Sequence, residues 1–213
     1  MTKLSLGLHT GRLLAAATLV ASVSCAGDMA TTGDAPVMLV IDSLAASSGA
    51  TPGSLGNTLN SDVITLVEQT VNGQTVKVPT VFNDVGQARF HLVRKNPVAV
   101  TSPSPLNDVT INRYRVTFRR ADGRNTPGVD VPYGFDGAAT VTITGSAGGT
   151  VGFELVRHNS KQEPPLSNLA YAGGAIQINT IAEITFYGRD QAGNEVQVTG
   201  TMNVNFADFG DPT

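Results

Sequence analysis

A strict alternation of apolar and polar residues near the C-terminus constrains the fold of this chain more than any other feature. From Glu195 to Phe206, every second residue is apolar or glycine, and the residues between them are all polar. A period of two places successive side chains on opposite faces of an extended strand. The segment therefore predicts a β-strand with one buried face and one solvent-exposed face.

The same alternation recurs along the chain and predicts an all-β fold. Gly193 and its neighbours make a turn that joins the last strand to the one before it, and Asn72-Gly73 favours a tight hairpin turn. The other predicted strands are 37–41, 63–71, 74–82, 87–95, 109–120, 138–144, 151–158 and 179–190. The predicted core is Phe90, Leu92, Tyr114, Val116, Phe118, Val141, Ile143, Phe153, Leu155, Ile184, Phe186, Val196, Val198, Val204 and Phe206.

The number of domains depends on the segment from Asn96 to Pro105, which contains three prolines. It fits either a linker between two domains or a long loop within one. About 60 residues precede it, which would bury too little apolar surface to be stable alone. We therefore predict one β-sandwich domain over residues 36–213.

The N-terminus has the pattern of a secretory signal peptide over residues 1–24. Lys3 and Arg12 precede an apolar run of eleven residues, Leu13 to Val23, that is too short to span a bilayer. Cys25 follows, and it is the only cysteine of the chain, so no internal disulfide can form. Cleavage before Cys25 leaves 12 basic and 17 acidic residues, a balance that argues against nucleic acid as a partner.

The segment ASVSC resembles the lipobox of bacterial lipoproteins, although Ser22 stands where that motif usually has leucine. The resemblance implies a lipid on Cys25, a flexible tether over residues 25–35 and attachment to a membrane. Because Ala26 rather than aspartate follows the cysteine, the outer membrane is the expected location. The alternative is ordinary cleavage after Ala26, which would release a soluble periplasmic or secreted protein.

Two segments resemble known sandwich domains. The run FYGRDQAGNEVQVTGTMNVNF is similar to the last two strands of bacterial immunoglobulin-like and fibronectin type III-like domains. The run INRYRVTFRRADG is similar to the third strand and following turn of fibronectin type III modules. The chain as a whole resembles exported bacterial lipoproteins with such a β-sandwich. This resemblance implies an antiparallel immunoglobulin-like sandwich with an inserted N-terminal hairpin, Val63 to Phe82, and no particular activity.

The chain carries no recognisable catalytic or metal-binding motif. His91 and His158 remain after maturation, each in a predicted strand, and neither has a partner at zinc spacing or a nearby nucleophile motif. The acids Asp122, Asp130, Asp136 and Asp190 are also typical of turns, and the spacing of a calcium loop is missing. We therefore predict no enzyme activity, no metal and no cofactor. An envelope hydrolase using one of the histidines is the less favoured alternative.

The densest charge lies in RYRVTFRRADGR, where Arg113, Arg115 and Arg119 project from one face of a strand. Guanidinium groups bind carboxylate or phosphate, so this face is a candidate site for an envelope protein or an anionic glycan. Alternatively, the arginines keep an exposed face soluble and pair with glutamates of adjacent strands. Tyr133 and Tyr171, in loops, are candidate contacts for a sugar ring. The expected function is therefore a binding or structural module.

Overall fold

The computed structural model describes residues 35–96, 98, 104–145 and 147–209, all within a unit that spans residues 31–213. The predicted signal peptide, the predicted lipidation site Cys25 and all of the predicted tether but its last residue lie outside the described residues. Within them, none of the helices is long and apolar enough to cross a bilayer.

Ten β-strands account for most of the described residues, so the prediction of an all-β fold is confirmed. They are β1 Val37–Ser47, β2 Thr58–Asp62, β3 Thr65–Val71, β4 Gln74–Thr80, β5 Asp84–Arg94, β6 Val109–Arg119, β7 Phe135–Ile143, β8 Gly149–Val156, β9 Ile178–Asp190 and β10 Glu195–Ala207. The described helices are one short α-helix, α1 His158–Gln162, and two short 3₁₀ segments, Pro105–Asn107 and Leu166–Leu169.

The strands form two larger sheets and a separate hairpin. One sheet has the order β1-β5-β8, and the other has the order β2-β10-β9-β6-β7. All neighbours in these sheets are antiparallel except β2 and β10, which run parallel. Strands β5 and β8 pair with each other although the proline-rich segment 96–105 lies between them in sequence.

The buried faces of the two sheets are in contact. Phe90 and Phe153 of the three-stranded sheet meet Phe186 of the five-stranded sheet edge to face, with ring centroids 4.9 and 5.3 Å apart. The predicted core residues are buried, except that Leu92, Val141 and Val198 are partly buried and pack against the core. The period-two alternation therefore identified the inward-facing positions correctly.

Strands β3 and β4 form a two-stranded hairpin outside the two larger sheets. Asn72 and Gly73 at its tip have φ values of 52° and 78°, as a tight hairpin turn requires. Most side chains of the two strands are exposed, apart from Thr65 at the base. The hairpin begins after Asp62 and ends before Asp84, and both of these residues are buried.

Three predictions made from the sequence were wrong in detail. The predicted antiparallel sandwich did not include β2, which is only five residues long and pairs in parallel with the end of β10. Strand β1 extends to Ser47 through the serine-containing stretch rather than ending at Ile41. His158 does not lie in a strand, because β8 ends at Val156 and His158 is the first residue of α1.

Val204 tests the core most directly, because its side chain is fully buried in β10. We expect Val204→Asp to unfold the protein, since an unpaired buried carboxylate costs several kcal/mol against a total stability of about 5–15 kcal/mol. Asn203→Asp, which adds the same charge to the exposed neighbouring position, should leave the urea midpoint nearly unchanged. Equal midpoints for the two variants would contradict this assignment of the core.

Candidate functional site

The three predicted arginines lie on the exposed face of β6, and each one has a carboxylate partner. Arg113 and Arg115 donate to the two carboxylate oxygens of Asp136 on β7, at 3.2 and 3.0 Å. Arg119 donates to Glu183 on β9 at 2.5 Å. All three guanidiniums are about half exposed, so each pair adds about 0–1 kcal/mol to stability. The row of arginines is therefore largely neutralised by the same sheet.

A β-bulge at Asn112 breaks the regular alternation of β6. The register of β6 shifts between Ile111 and Arg113 against both of its neighbours, β7 and β9. As a result, Asn112 and Arg113 are both exposed, although they are consecutive in sequence. A bulge of this kind redirects a side chain and is common beside binding sites.

A concavity of about 400 Å³ lies beside this bulge on the outer face of the five-stranded sheet, and we call it the sheet concavity. Its volume falls within the range of about 300–1,000 Å³ that is usual for small-ligand sites. Strands β6, β9 and β10 supply its lining: Asn112, Arg113, Tyr187, Gly188, Arg189, Glu195, Val196 and Gln197. Most of these side chains are planar groups that donate or accept hydrogen bonds.

Two contacts hold the charged groups of the sheet concavity in place. The guanidinium carbon of Arg113 lies 3.9 Å from the centre of the Tyr187 ring, within the range of a cation–π contact. Arg189 donates to Glu195 at 2.8 Å, and both side chains are more than 60% exposed. Arg113 is therefore preorganised, whereas the pair of Arg189 and Glu195 is open to exchange with a ligand.

The two loop tyrosines predicted as sugar contacts are exposed, Tyr133 at 57% and Tyr171 at 72%. Tyr171 follows the 3₁₀ segment Leu166–Leu169 and has a φ of 63°. Neither tyrosine lines the sheet concavity. They remain separate candidate contacts, without a shared site.

The histidines have partners that sequence reasoning did not identify. Nδ1 of His91 lies 2.5 Å from Oδ1 of Asp42, and both side chains are substantially exposed. His158 approaches the amide oxygen of Asn83, at 3.0 Å from its ring nitrogen. The partners are thus an exposed carboxylate and an amide, not the buried carboxylate that would orient a catalytic histidine.

The acids considered as calcium ligands bind groups of the chain itself. Asp122 accepts hydrogen bonds from Arg120 and Arg124, and these lower its pKa well below the ordinary range. Asp190 accepts from the backbone N–H groups of Ala192 and Asn194 and so closes the β9–β10 turn. Within the described residues, no cluster of three or more acidic, histidine or cysteine side chains has the arrangement of a metal site.

A buried ion pair, missed from the sequence, lies where β2 ends and β5 begins. Nζ of Lys161, on α1, donates to Oδ1 of Asp84 and to the carbonyl oxygen of Asp62, both at 2.8 Å. The exposed fractions of the Lys161 and Asp84 side chains are 1% and 0%. Asp84 also accepts from the Gly49 N–H at 2.9 Å and from the Ser61 hydroxyl at 2.6 Å.

Burial shifts two pKa values in this cluster. Desolvation lowers the pKa of Lys161, and the attraction of Asp84 opposes that shift. Desolvation also raises the pKa of Asp62, against hydrogen bonds from Thr65 and from the Phe209 N–H. Because Asp84 accepts three hydrogen bonds from the chain, one of them from Lys161, we interpret the cluster as a structural ion pair that fixes α1 to the base of the β3–β4 hairpin.

Comparisons with known proteins add no candidate for the site. No protein family, no curated protein and no solved structure matches this chain.

Removing Lys161 tests the structural role of the ion pair. We expect Lys161→Met to cost about 3–5 kcal/mol, because it leaves the Asp84 charge buried without its partner. In an Asp84→Asn background the same change should cost clearly less, since no charge is left behind. Urea unfolding measures both costs, and Lys77→Met, at an exposed position of β4, is the control. Equal costs of Lys161→Met in the two backgrounds would show that the pair contributes nothing specific.

Proposed function

We propose that the protein is a non-catalytic binding module of the bacterial cell envelope, attached through a lipid on Cys25, and that it binds an acidic glycan in the sheet concavity. The observation that carries this proposal is the bulge at Asn112. It turns two consecutive polar side chains of a central strand toward one concave, exposed surface.

The scaffold in this proposal is an immunoglobulin-like β-sandwich in which β3 and β4 are the inserted hairpin. The contact between the buried faces of the two sheets supports it. The order of the strands also supports it, because the chain passes repeatedly between the sheets: β1, β5 and β8 belong to one, and β2, β6, β7, β9 and β10 to the other. Such crossings are typical of Greek-key sandwiches.

The chemistry of the lining favours an acidic sugar over a neutral or apolar ligand. The guanidinium of Arg113 can exchange its exposed contact with Asp136 for a ligand carboxylate. Asn112, Gln197 and Glu195 offer the amide and carboxylate groups that bind hydroxyls. Tyr187 contributes by holding the guanidinium, since Arg113 already covers a face of its ring.

Isothermal titration with a uronic-acid oligosaccharide tests the site. We expect Arg113→Gln to weaken binding at least about tenfold, because a hydrogen bond to a charged group contributes about 1.5–3 kcal/mol. Tyr187→Leu should weaken binding less, because the guanidinium remains but is less well held. Binding should also fall with added salt, as expected for exposed charges.

Two controls separate this site from a general attraction to positive charge. Arg124→Gln removes the same charge from an exposed loop, away from the sheet concavity, and should bind like wild type. A neutral oligosaccharide of equal length should bind far more weakly to the wild-type protein. If Arg113→Gln and Arg124→Gln bind equally well, the sheet concavity is not the glycan site.

The lipid anchor is tested at the mature N-terminus. The proposal rests on the position of Cys25 at the end of the apolar run and on its resemblance to a lipobox cysteine. Mass spectrometry of the protein purified from its native envelope should find an N-terminal Cys25 that carries a diacylglycerol thioether. An unmodified chain that begins at Gly27 would rule the anchor out and indicate a soluble exported protein.

A further inference from the structure

The first part of β10 forms a free edge in the five-stranded sheet. On one side, β10 pairs with β9 from Glu195 to Phe206 without a break in register. On its other side, β2 pairs only with residues Asn203 to Ala207. Among the described residues, no strand pairs with this side of β10 before Asn203.

The direction of the backbone groups at this edge follows from two hydrogen bonds. The carbonyl of Asn194 accepts from Asp190 on the β9 side, whereas the carbonyl of Ala207 accepts from Val63 on the β2 side. The N–H and C=O groups of one residue point to the same side of an antiparallel strand, and the side alternates from residue to residue. Gln197, Thr199 and Thr201 therefore point their backbone donors and acceptors away from β9, at the free edge.

The free edge lacks the features that normally prevent strand pairing. Proteins block exposed edges with lysine, proline, bulges or inward charges. The residues from Glu195 to Met202 include no lysine and no proline, and the pairing with β9 has no bulge there. By contrast, β1, at the edge of the other sheet, has a bulge between Ile41 and Ser43 with Asp42 exposed.

The free edge is also open to an incoming strand. A groove of about 450 Å³ lies along this edge between β1 and β10, and its lining includes Leu39, Ile41, Leu44, Val198 and Met202. The side chains of Gln197, Thr199 and Thr201 are exposed on the outer face of the sheet. The groove is lined by Thr199 and Thr201 as well, so an added strand can reach their outward backbone groups, while Ile41 and Leu44 of β1 pack against the inward side of β10 at Gly200.

The three outward-pointing residues are complementary to themselves. Consider two β10 strands, one from each copy of the chain, paired antiparallel about Thr199. Thr199 of one copy then faces Thr199 of the other, and Gln197 of one copy faces Thr201 of the other. Thr199 then exchanges both backbone hydrogen bonds with its symmetry mate, and no like charges oppose each other. Such a pair satisfies the outward groups of all three residues in both copies and obeys the two-fold symmetry of most homodimers.

We propose that the protein forms a symmetric dimer in which the free edges of two β10 strands pair antiparallel about Thr199. The two five-stranded sheets then join into one continuous sheet, with both copies of the sheet concavity on its outer faces. The inference rests on backbone groups and pairing register, so it does not depend on the proposed glycan or on the lipid.

Cross-linking of the full chain tests the dimer and its register. In a Cys25→Ser background, which leaves no other thiol, Thr199→Cys places two cysteines directly opposite each other. Hydrogen-bonded antiparallel pairs have Cα atoms about 5.5 Å apart, a separation that a disulfide accommodates. We expect a disulfide-linked dimer on mild oxidation, and none for Thr185→Cys, which lies opposite Thr199 on β9 but away from the edge.

Sedimentation velocity tests the same interface without an introduced cysteine. The chain with Cys25→Ser should sediment as a dimer, and Thr199→Pro should shift it to monomer. Proline there removes an N–H that points away from β9, so the β9–β10 ladder and the unfolding midpoint should be retained. A chain that remains monomeric at the highest concentration reached would overturn the proposal. So would a dimer in which Thr199→Cys does not cross-link, whatever the fold of the proline variant.

Discussion

The contact between the two sheets depends on four aromatic rings. Phe90 and Phe153 reach across from β5 and β8 to Phe186 on β9, and Tyr114 on β6 packs edge to face on Phe153, 5.3 Å between ring centroids. The backbone N–H of Glu154 donates to the hydroxyl of Tyr114 at 3.1 Å, which gives the buried phenol a partner. Each ring pair adds about 0.5–1.5 kcal/mol beyond the burial of apolar surface. These ring contacts set the distance between the two sheets.

Gly86 and Gly137 show how tight this packing is. A Cβ at Gly86 would lie within 2.5 Å of the Phe153 ring, and a Cβ at Gly137 would lie within 2.5 Å of the Tyr114 ring.

The buried ion pair performs a different task at one end of the sheets. A buried pair stabilises a fold poorly compared with an apolar contact, but it specifies geometry, because a charge without its partner is costly there. Lys161 reaches both of its partners, the Asp62 carbonyl and the Asp84 carboxylate, only when α1 lies against these two residues. These two residues flank the β3–β4 hairpin in sequence. The pair therefore holds together the two points at which the hairpin leaves and re-enters the larger sheets.

Alternation predicted the strands well because it depends only on which side chains face the core. It could not predict β2, since that strand is short and its residues, TLNSD, include one large apolar side chain. Nor could it predict the role of Lys161, because a lysine between polar neighbours is normally exposed, and its partners lie 77 and 99 positions away in sequence. The face of β6 that carries the three arginines followed from their even spacing. Pairing with a glutamate of an adjacent strand was the stated alternative, and Arg119 pairs in this way with Glu183. Asp136 was missed as the shared partner of Arg113 and Arg115, since the pairing of β6 with β7 depends on the whole fold.

The bulge at Asn112 and the free edge of β10 have a common physical origin. Regular pairing satisfies backbone groups and leaves a flat polar face, which gives a ligand little to recognise. The chain departs from regular pairing at two places in the same sheet: within β6, where an extra residue disturbs the ladder, and along β10, where β2 is too short to cover its neighbour. The core does not require either irregularity. In both strands, the inward-facing residues are buried before and after the irregular position. An irregularity that the core does not require, and that lies on accessible surface, is a good candidate for a binding site.

Gln197 takes part in both irregular regions. Its side chain lines the sheet concavity, and its backbone groups point to the free edge.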